Sequence, residues 1–285
     1  MGKNRGQKRF NNEGGVPTRK MKRKAEDVLN GAFSSKKGPA SKENVPVAPS
    51  KTNDTAAPSV PKTLEDRKAG QRVFVVLEHA PLEIVSVKGR YELMNADDHK
   101  SMILKAGRKL ENMRPDITHQ CLMSLLDSPL NKAGKLWIYI HTANNTLIEI
   151  NPSLRIPRTY KRFAGLMVEL LHRNKIKAVN SSTTLMKVIA NPVTKYLPEG
   201  GRKIGFSVNG KSVNIRKYVE QLDETGGLDQ PVTFVVGAVA HGDPLEDPEA
   251  AQLVEEQISI SHWGLSASCC CGKICNEFEQ LWGVM

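Results

Sequence analysis

The chain has 285 residues, of which 39% are hydrophobic, so it can bury the core of one sizeable domain or two small ones. Its net charge of +11 favours an anionic partner. No apolar h-region follows the basic N-terminus and no apolar run approaches bilayer length, so we expect neither a secretory signal nor a membrane association.

The positive charge is concentrated near the N-terminus. Residues 1–70 contain 16 Lys and Arg against 7 Asp and Glu, whereas residues 71–285 contain 25 against 23. The first segment also has six prolines, only two aromatic residues, and neither a helical nor a strand period. Such a segment cannot bury enough apolar surface to offset its chain entropy. We therefore predict a disordered basic tail over 1–70 and a folded domain over 71–285.

One cluster within this tail, RKMKRK at 19–24, is typical of the sequences that nuclear import receptors bind. The alternative interpretation is a solvated run of charges. We expect import into the nucleus.

The folded part opens with RVFVVLE at 72–78, a continuous apolar run that predicts a buried strand. The segment DITHQCLMSLL at 116–126 has apolar residues four apart, which predicts a helix with Cys121 on its apolar face. His119 is two residues from Cys121 and faces another way on a helix, which argues against a Cys–His nucleophile pair.

Two strand runs follow, LWIYIHT at 136–142 and TLIEIN at 146–151, and the short polar turn between them predicts a hairpin. The next segment, RIPRTYKRFAGLMVELLHR, predicts a helix with Pro157 in its first turn. Its apolar residues at helical spacing form one sector: Phe163, Leu166, Met167, Leu170 and Leu171.

Three arginines accompany this helix. Arg158 and Arg162 lie on the flank of the apolar sector, and Arg155 precedes the helix. The net charge of the rest of the domain is small, so this group is a local basic face. It either binds an anion or is a solvated surface.

The C-terminal part alternates strand runs with loops and helices, which predicts an α/β fold with a largely parallel sheet. The strand runs are KVIANPV at 187–193, RKIGFSV at 202–208, PVTFVVGAVAHGD at 231–243 and ISISHWGLSAS at 258–268, and a helix closes the chain.

The five cysteines do not form a spaced metal-binding pattern, so we predict no metal site. On the closing helix, two of them belong to an apolar stripe, which indicates core packing. The stripe consists of Cys271, Ile274, Cys275, Phe278, Leu281 and Trp282. Free thiols fit a reducing compartment.

The run VVGAVAHGD has two glycines, Gly237 and Gly242, spaced as in a phosphate-binding loop. Asp243 and Pro244 follow where such a loop would continue with Lys and Ser or Thr, and no GxGxxG is present, so nucleotide hydrolysis and ordinary dinucleotide binding are disfavoured. A glycine loop at the end of a buried strand can let a ligand approach the backbone closely, or it can be only a turn.

Several long segments resemble one family. RPDITHQCLMSLLDSPLNKAG, YIHTANNTLIEINPSLRIPRTYKRFAGLMVELLH, VVGAVAHG, SIS before an aromatic residue, and the terminal LWGVM are similar to the eukaryotic ribosome-biogenesis rRNA pseudouridine-N1 methyltransferases of the SPOUT, or α/β-knot, class. The resemblance covers about 72–285. It implies a C-terminal trefoil knot, a homodimer, a nucleolar location, and work alongside pre-ribosomal assembly factors.

The same resemblance implies S-adenosylmethionine as the methyl donor. Carried over by position, the cofactor contacts are Phe206, Gly237, Gly242, Ile260, Ser261, His262, Trp263, Gly264 and Leu265. Two departures stand out. His262-Trp263-Gly264 replaces the family's usual Asn-Tyr-Pro, and Phe206 replaces a small polar residue, so only the backbone of Phe206 is expected to contact the cofactor.

The resemblance also implies that Arg114, Arg155, Arg158 and Arg162 bind small-subunit (18S-type) rRNA. Asp116, two residues from Arg114, is expected to hold that guanidinium in place, and it is also the one carboxylate considered as a catalytic base. Pseudouridine as the target, rather than uridine, follows from the resemblance alone.

Two other functions compete with an rRNA base methyltransferase. The altered cofactor loop is compatible with an RNA-binding assembly factor whose methyl transfer is dispensable or lost. A ribose 2′-O-methyltransferase of the same fold is the third, but SISHWGLSAS lacks the Asn-Ser-x-Ser type of loop that is typical of that branch.

Overall fold

The computed structural model describes residues 60–61, 63–179 and 182–285. The basic cluster at 19–24 and most of the expected tail lie outside these residues. The helices are α1 (Leu64–Lys68), α2 (Lys100–Lys105), α3 (Pro115–Asp127), α4 (Pro129–Lys132), α5 (Tyr160–Arg173), α6 (Ile215–Glu224), α7 (Pro248–Leu253) and α8 (Ala267–Trp282). Short 3-10 turns occupy Leu110–Asn112, Val193–Tyr196 and Pro244–Glu246.

The strands are β1 (Val73–Ala80), β2 (Ile84–Val87), β3 (Arg90–Leu93), β4 (Leu136–Thr142), β5 (Leu147–Ile150), β6 (Lys175–Lys177), β7 (Thr184–Ile189), β8 (Lys203–Ser212), β9 (Val232–Gly237) and β10 (Glu256–Ser259). Strands β2 and β3 form a separate antiparallel pair. The other eight form one sheet in the order β10-β8-β9-β1-β4-β5-β7-β6. The first five of these are mutually parallel and the last three are antiparallel, which confirms the α/β class and the mostly parallel sheet.

Strand β1 shows how the sheet divides two cores. Val73, Val75 and Leu77 belong to the larger core, which also contains residues of α3, α5, α6 and α8. Phe74 and Val76 belong to the smaller core on the other face, which contains residues from the 3-10 turns and α7. Alternate residues of a strand point to opposite faces, so a strand buried on both sides reads as a continuous apolar run.

The predicted hairpin is confirmed, since β4 and β5 pair antiparallel. The stripe on the closing helix is confirmed as well: Cys271, Ile274, Cys275 and Phe278 are buried on α8. The strand predicted at 187–193 begins three residues earlier than predicted and ends four residues earlier, at Thr184–Ile189.

Helix α5 begins at Tyr160, so the prediction that Pro157 occupies its first turn is wrong. The backbone before the helix is held by tertiary contacts instead. The carbonyl of Pro157 accepts a hydrogen bond from Nε2 of His119 at 2.7 Å, and the carbonyl of Pro152 accepts one from Nδ2 of Asn131 at 3.0 Å. These bonds satisfy two backbone carbonyls in the non-helical segment before α5.

Residues 63–70, within the segment expected to be disordered, form α1 and its flanking turns. Arg67 of α1 contacts Glu149 at 2.5 Å, with side chains only 15% and 6% exposed, and its guanidinium lies 4.4 Å above the ring of Trp137. Lys187 also contacts Glu149, at 3.0 Å. The ordered part of the chain therefore begins before residue 71.

None of the helices in the described ranges is long and apolar enough to cross a membrane.

Candidate functional site

Three adjacent parallel strands bring the predicted cofactor segments to one edge of the sheet. Gly205 of β8 is opposite Val235 of β9 and also opposite Gln257 of β10. The residues that follow each of these positions therefore emerge together at the carboxyl edge. These residues include Phe206, Gly237 and the loop that begins at Ile260. This edge is where open α/β sheets bind ligands.

The two glycines of the β9 loop serve different purposes. Gly242 has φ of +80°, and a Cβ built there would meet nothing within 4 Å. It supplies a left-handed backbone beside open space. Gly237 instead makes room for a neighbouring ring, because a Cβ there would lie 2.7 Å from Cγ of Pro244. Close approach of a ligand is therefore possible at Gly242, whereas at Gly237 the neighbour is the protein itself.

The loop after β10 is open and partly self-bonded. The Ser259 hydroxyl donates to the carbonyl of Ser261 at 3.0 Å, and the amide of Trp263 donates to the Ser261 hydroxyl at 3.0 Å. The indole of Trp263 is 81% exposed. A Cβ at Gly264 would meet nothing within 4 Å. His262 is exposed, while Ile260 and Leu265 are partly buried.

Phe206 packs its ring edge-on against Phe234, with ring centroids 5.6 Å apart, so the ring belongs to the core. Because the ring is engaged in the core, a cofactor contact by Phe206 stays a prediction about its backbone. An open left-handed glycine, an exposed indole and free backbone at one sheet edge fit a flat heterocyclic ligand such as an adenosyl group.

Arg114 and Asp116 form the expected pair at the start of α3. Nε and Nη2 of Arg114 donate to the two carboxylate oxygens at 2.8 Å and 2.7 Å. This bond raises the pKa of Arg114 and holds the pKa of the Asp116 carboxyl below its ordinary value, against an opposing effect of burial. The arginine side chain is 47% exposed, so the remaining N–H groups of its planar fork are available to a ligand.

The three arginines of the predicted basic face are all exposed, but they are not equivalent. Arg158 donates to both carboxylate oxygens of Asp127, the last residue of α3, with the Nη2–Oδ1 distance at 3.0 Å. Arg155 and Arg162 make no ion pair with any described residue. The partner of Arg158 lies 31 residues away in the chain, so local pattern did not reveal it.

Helix α3 connects the two parts of the arginine set, because Arg114 precedes its first residue and Asp127 is its last. The segment that carries the arginines also packs near the start of this helix. Nε2 of His119 in α3 donates to the Pro157 carbonyl at 2.7 Å, and the His119 ring lies 6.3 Å from the ring of Tyr160. Arg114 and the basic face therefore lie along one surface rather than on opposite sides of the domain.

Cys121 and His119 do not form a nucleophilic pair. Cys121 is a fully buried free thiol, and its hydrogen bond with the Cys271 thiol, together with burial, raises the pKa of Cys271. The His119 ring stacks on Phe163 at 4.5 Å. Burial raises the pKa of Cys275 to about 12. Within the described ranges, no group of His, Cys, Asp and Glu side chains could hold a metal ion.

The family profile described as "EMG1/NEP1 methyltransferase" matches residues 75–279. This chain belongs to that family. The matched range contains both loops at the carboxyl edge and all four predicted RNA-binding arginines, and it begins after α1.

Individual relatives agree with the family. The chain is 49% identical over 226 residues to "Ribosomal RNA small subunit methyltransferase NEP1" of Drosophila melanogaster, covering 79% of this chain and 88% of the fly protein. It is 46% identical over 234 residues to NEP1 of Homo sapiens, covering 81% and 91%. A crystal structure of Archaeoglobus fulgidus Nep1 bound to S-adenosylhomocysteine has a TM-score of 0.62 and 25% identity, covering 75% of this chain and all of that one.

Proposed function

We propose that this protein transfers a methyl group from S-adenosylmethionine to N1 of a pseudouridine in small-subunit rRNA during ribosome biogenesis. One observation carries the proposal. Phe206 of β8 and the loops after β9 and β10 meet at one edge of the sheet, in a chain whose fold is similar to that of a Nep1 bound to S-adenosylhomocysteine. The relatives named as small-subunit rRNA methyltransferases support the substrate class.

The residues of the carboxyl edge would hold the cofactor through backbone and packing. Gly242 lets it approach the β9 loop, the backbone of Phe206 supplies hydrogen-bonding groups, and Trp263 offers an exposed ring to pack against it. When bound, S-adenosylmethionine supplies an activated methyl group on a sulfonium. The main task left to the protein is alignment of that methyl with a ring nitrogen of the RNA.

Arg114 is proposed to hold the target base, and Asp116 to orient Arg114. Both oxygens of Asp116 accept from the guanidinium, and the lowered pKa of this carboxyl makes it a weak base. The orienting role is therefore favoured over proton abstraction. The target must leave its stem, or be presented in a loop, before Arg114 can contact it.

Arg155, Arg158 and Arg162 are proposed to bind the flanking RNA. Arginine forks match phosphate and base edges in a bidentate manner. Each phosphate contact is expected to contribute about 0.7 to the salt slope of log K on single-stranded RNA. If the binding of Arg155→Ala and Arg162→Ala variants equals that of the wild type at every salt concentration, the basic face is only a solvated surface.

The decisive experiment is methyl transfer to matched RNA stem-loops that carry pseudouridine or uridine at one position, read by mass spectrometry. We expect transfer only to pseudouridine. Equal transfer to uridine would refute the N1-pseudouridine assignment, and transfer to a ribose would favour the 2′-O branch. Depletion of the protein should remove one methyl group from small-subunit rRNA.

An RNA-binding assembly factor without methyl transfer is the second candidate, and the departure at His262-Trp263-Gly264 favours it. Trp263 provides the test, because its exposed indole should report cofactor binding by fluorescence, whereas Trp137 is fully buried. Calorimetric titration with S-adenosylmethionine provides the independent reading. Absence of heat and of any fluorescence change, with RNA binding intact, would establish the second candidate.

We also propose a trefoil knot, a homodimer, and nuclear and nucleolar location for the whole chain. A Cβ at Gly210 would lie 2.7 Å from backbone atoms of Gln257 and Ile258, and this close approach of two backbone segments supports the knot. The exposed apolar side chain of Val208, 71% accessible, supports contact with a second copy. Sedimentation of the wild type and of a Val208→Glu variant tests the dimer, and loss of nuclear accumulation on deletion of 19–24 tests the location.

A further inference from the structure

We propose that a hydrogen bond between Ser207 and Asp243 positions the β9 loop for the cofactor, so that these two side chains set cofactor affinity without contacting the cofactor. This inference rests on the proposed cofactor site. It concerns two residues that the family resemblance did not mark.

Ser207 lies where β8 departs from regular pairing. Gln257 of β10 pairs with Gly205 of β8, and the next residue, Ile258, pairs with Lys211. Residues 206–210 of β8 therefore have no partner on β10 and form an excursion from the regular pairing. Ser207 is only 6% exposed within this excursion. Its hydroxyl accepts a hydrogen bond from the amide of Asn209 at 3.1 Å, which fixes the shape of the excursion.

The same hydroxyl donates to Oδ2 of Asp243 in the β9 loop. The other carboxylate oxygen, Oδ1, accepts from the amide of Leu245 at 3.0 Å and caps the short turn that starts at Pro244. One carboxylate therefore joins β8 to the end of the β9 loop. A charge-assisted hydrogen bond of this kind, here partly buried, is stronger than a neutral one.

The position of Asp243 makes the bond relevant to the ligand. Asp243 directly follows Gly242, the left-handed residue that faces open space. At the other end of the loop, the amide of Ala238 donates to the carbonyl of Glu78 at 2.8 Å. Hydrogen bonds therefore fix both ends of the loop, and the bond from Ser207 to Asp243 is the one nearer to Gly242.

Without the Ser207 bond, the loop would have to be ordered when the cofactor binds. That ordering would cost conformational entropy, which would appear as weaker binding. A purely structural role makes a different prediction, because it would lower the thermal stability of the protein and leave the affinity of the folded protein unchanged.

Ser128 provides a matched control. It is 7% exposed, its hydroxyl donates to the carbonyl of Leu125 at 2.7 Å, and it accepts from the amide of Asn131 at 3.0 Å. It therefore equals Ser207 in burial and in the number of hydrogen bonds. It lies between α3 and α4, outside the proposed cofactor site.

The experiment is calorimetric titration of the full-length protein with S-adenosylmethionine, alongside thermal unfolding of the unliganded protein. We expect Ser207→Ala and Asp243→Ala each to weaken cofactor binding about tenfold, the scale for loss of a hydrogen bond to a charged group. The double variant should bind no more weakly than either single variant. Ser128→Ala should lose thermal stability but keep wild-type affinity.

Asp243→Asn separates positioning from direct contact. Its amide can still accept from Leu245 and can donate to the Ser207 hydroxyl, so affinity should stay near that of the wild type. An affinity as low as that of Asp243→Ala would show that the negative charge itself binds the cofactor, and would overturn the proposal. The Asp243 variants also carry the test if Ser207→Ala does not fold.

Hydrogen exchange tests the order of the β9 loop in the absence of cofactor. The amides of 238–245 should exchange faster in Ser207→Ala than in the wild type or in Ser128→Ala. Equal exchange together with equal affinity would overturn the positioning role while leaving the proposed function intact. Failure of the wild type itself to bind S-adenosylmethionine would instead refute the proposed cofactor site.

Discussion

Replacing Asp127 with asparagine is expected to strengthen RNA binding. Two nitrogens of Arg158 are bonded to the Asp127 carboxylate, so this carboxylate competes with an RNA phosphate for part of the guanidinium and for its positive charge. The pair is solvent-accessible, with side chains 68% and 44% exposed. Exposed pairs are worth about 0.2–1 kcal/mol, so removal of the competitor should raise RNA affinity about 1.4-fold to 5-fold.

Stability should change little in this variant. Asp127 is the last residue of α3, where the helix dipole disfavours a negative charge by about 0.3–1 kcal/mol. Relief of that repulsion offsets the lost ion pair. The melting temperature should therefore stay within about 3 °C of the wild type.

The assay is RNA affinity measured over a range of salt concentrations for Asp127→Asn, Arg158→Ala and the double variant. If the gain arises by freeing Arg158, Asp127→Asn should give little gain in the Arg158→Ala background. Glu277→Gln is the control, because it frees Arg216 from an ion pair at 3.0 Å with the same change of net charge. An equal gain in the control, or the full gain without Arg158, would refute the reasoning.

Three further predictions follow from the site and from α1. Gly242→Val should abolish cofactor binding because of the left-handed backbone, whereas Gly242→Asn, which tolerates that conformation, should retain most of it; equal calorimetric affinities of the two would contradict this. Removal of 1–59, which leaves Val60 packed against the smaller core, should leave the melting temperature unchanged, but Arg67→Ala in the shortened chain should lower it by about 5 °C, because a buried carboxylate loses one of its two cations; an unchanged unfolding curve would contradict this. The pKa of Asp116 is lowered in the folded state, so its pair with Arg114 stabilises the protein above about pH 4 and this stabilisation is lost as the pH falls through the pKa of the folded state. In Asp116→Asn the free energy of unfolding should therefore depend less on pH in that range. An unchanged pH dependence in this variant would count against the pair.

The elements that the sequence predicted well are the strongly periodic ones. Strand β1 and helix α3 have apolar patterns that only one secondary structure can bury. The sequence pattern does not predict helix α6. Only Ile215, Val219 and Leu222 are buried in it, so its apolar face is narrow and its sequence resembles a polar loop.

The sequence predicted the residues of the candidate site but not most of the side-chain pairs that they form. The pairing of Arg114 with Asp116 could be foreseen because the two residues are two apart in the chain. The pairs Arg158–Asp127 and Ser207–Asp243 join residues 31 and 36 apart, so only the folded chain reveals them. Local patterns identify which side chains are available, and tertiary packing decides which of them are already engaged.

The length of helix α3 has a consequence for the RNA surface proposed above. Its 13 residues separate Arg114 from Asp127, and hence from the neighbouring Arg158, by about 20 Å. A stacked single strand advances about 3.4 Å per nucleotide, so about six nucleotides are needed to reach from one end of the helix to the other. The helix is rigid, so this spacing is set before the RNA arrives. On the proposed surface, a stacked oligonucleotide shorter than about six nucleotides would reach the arginine at one end of the helix only, so the length of the helix sets the smallest stacked RNA that would contact both ends.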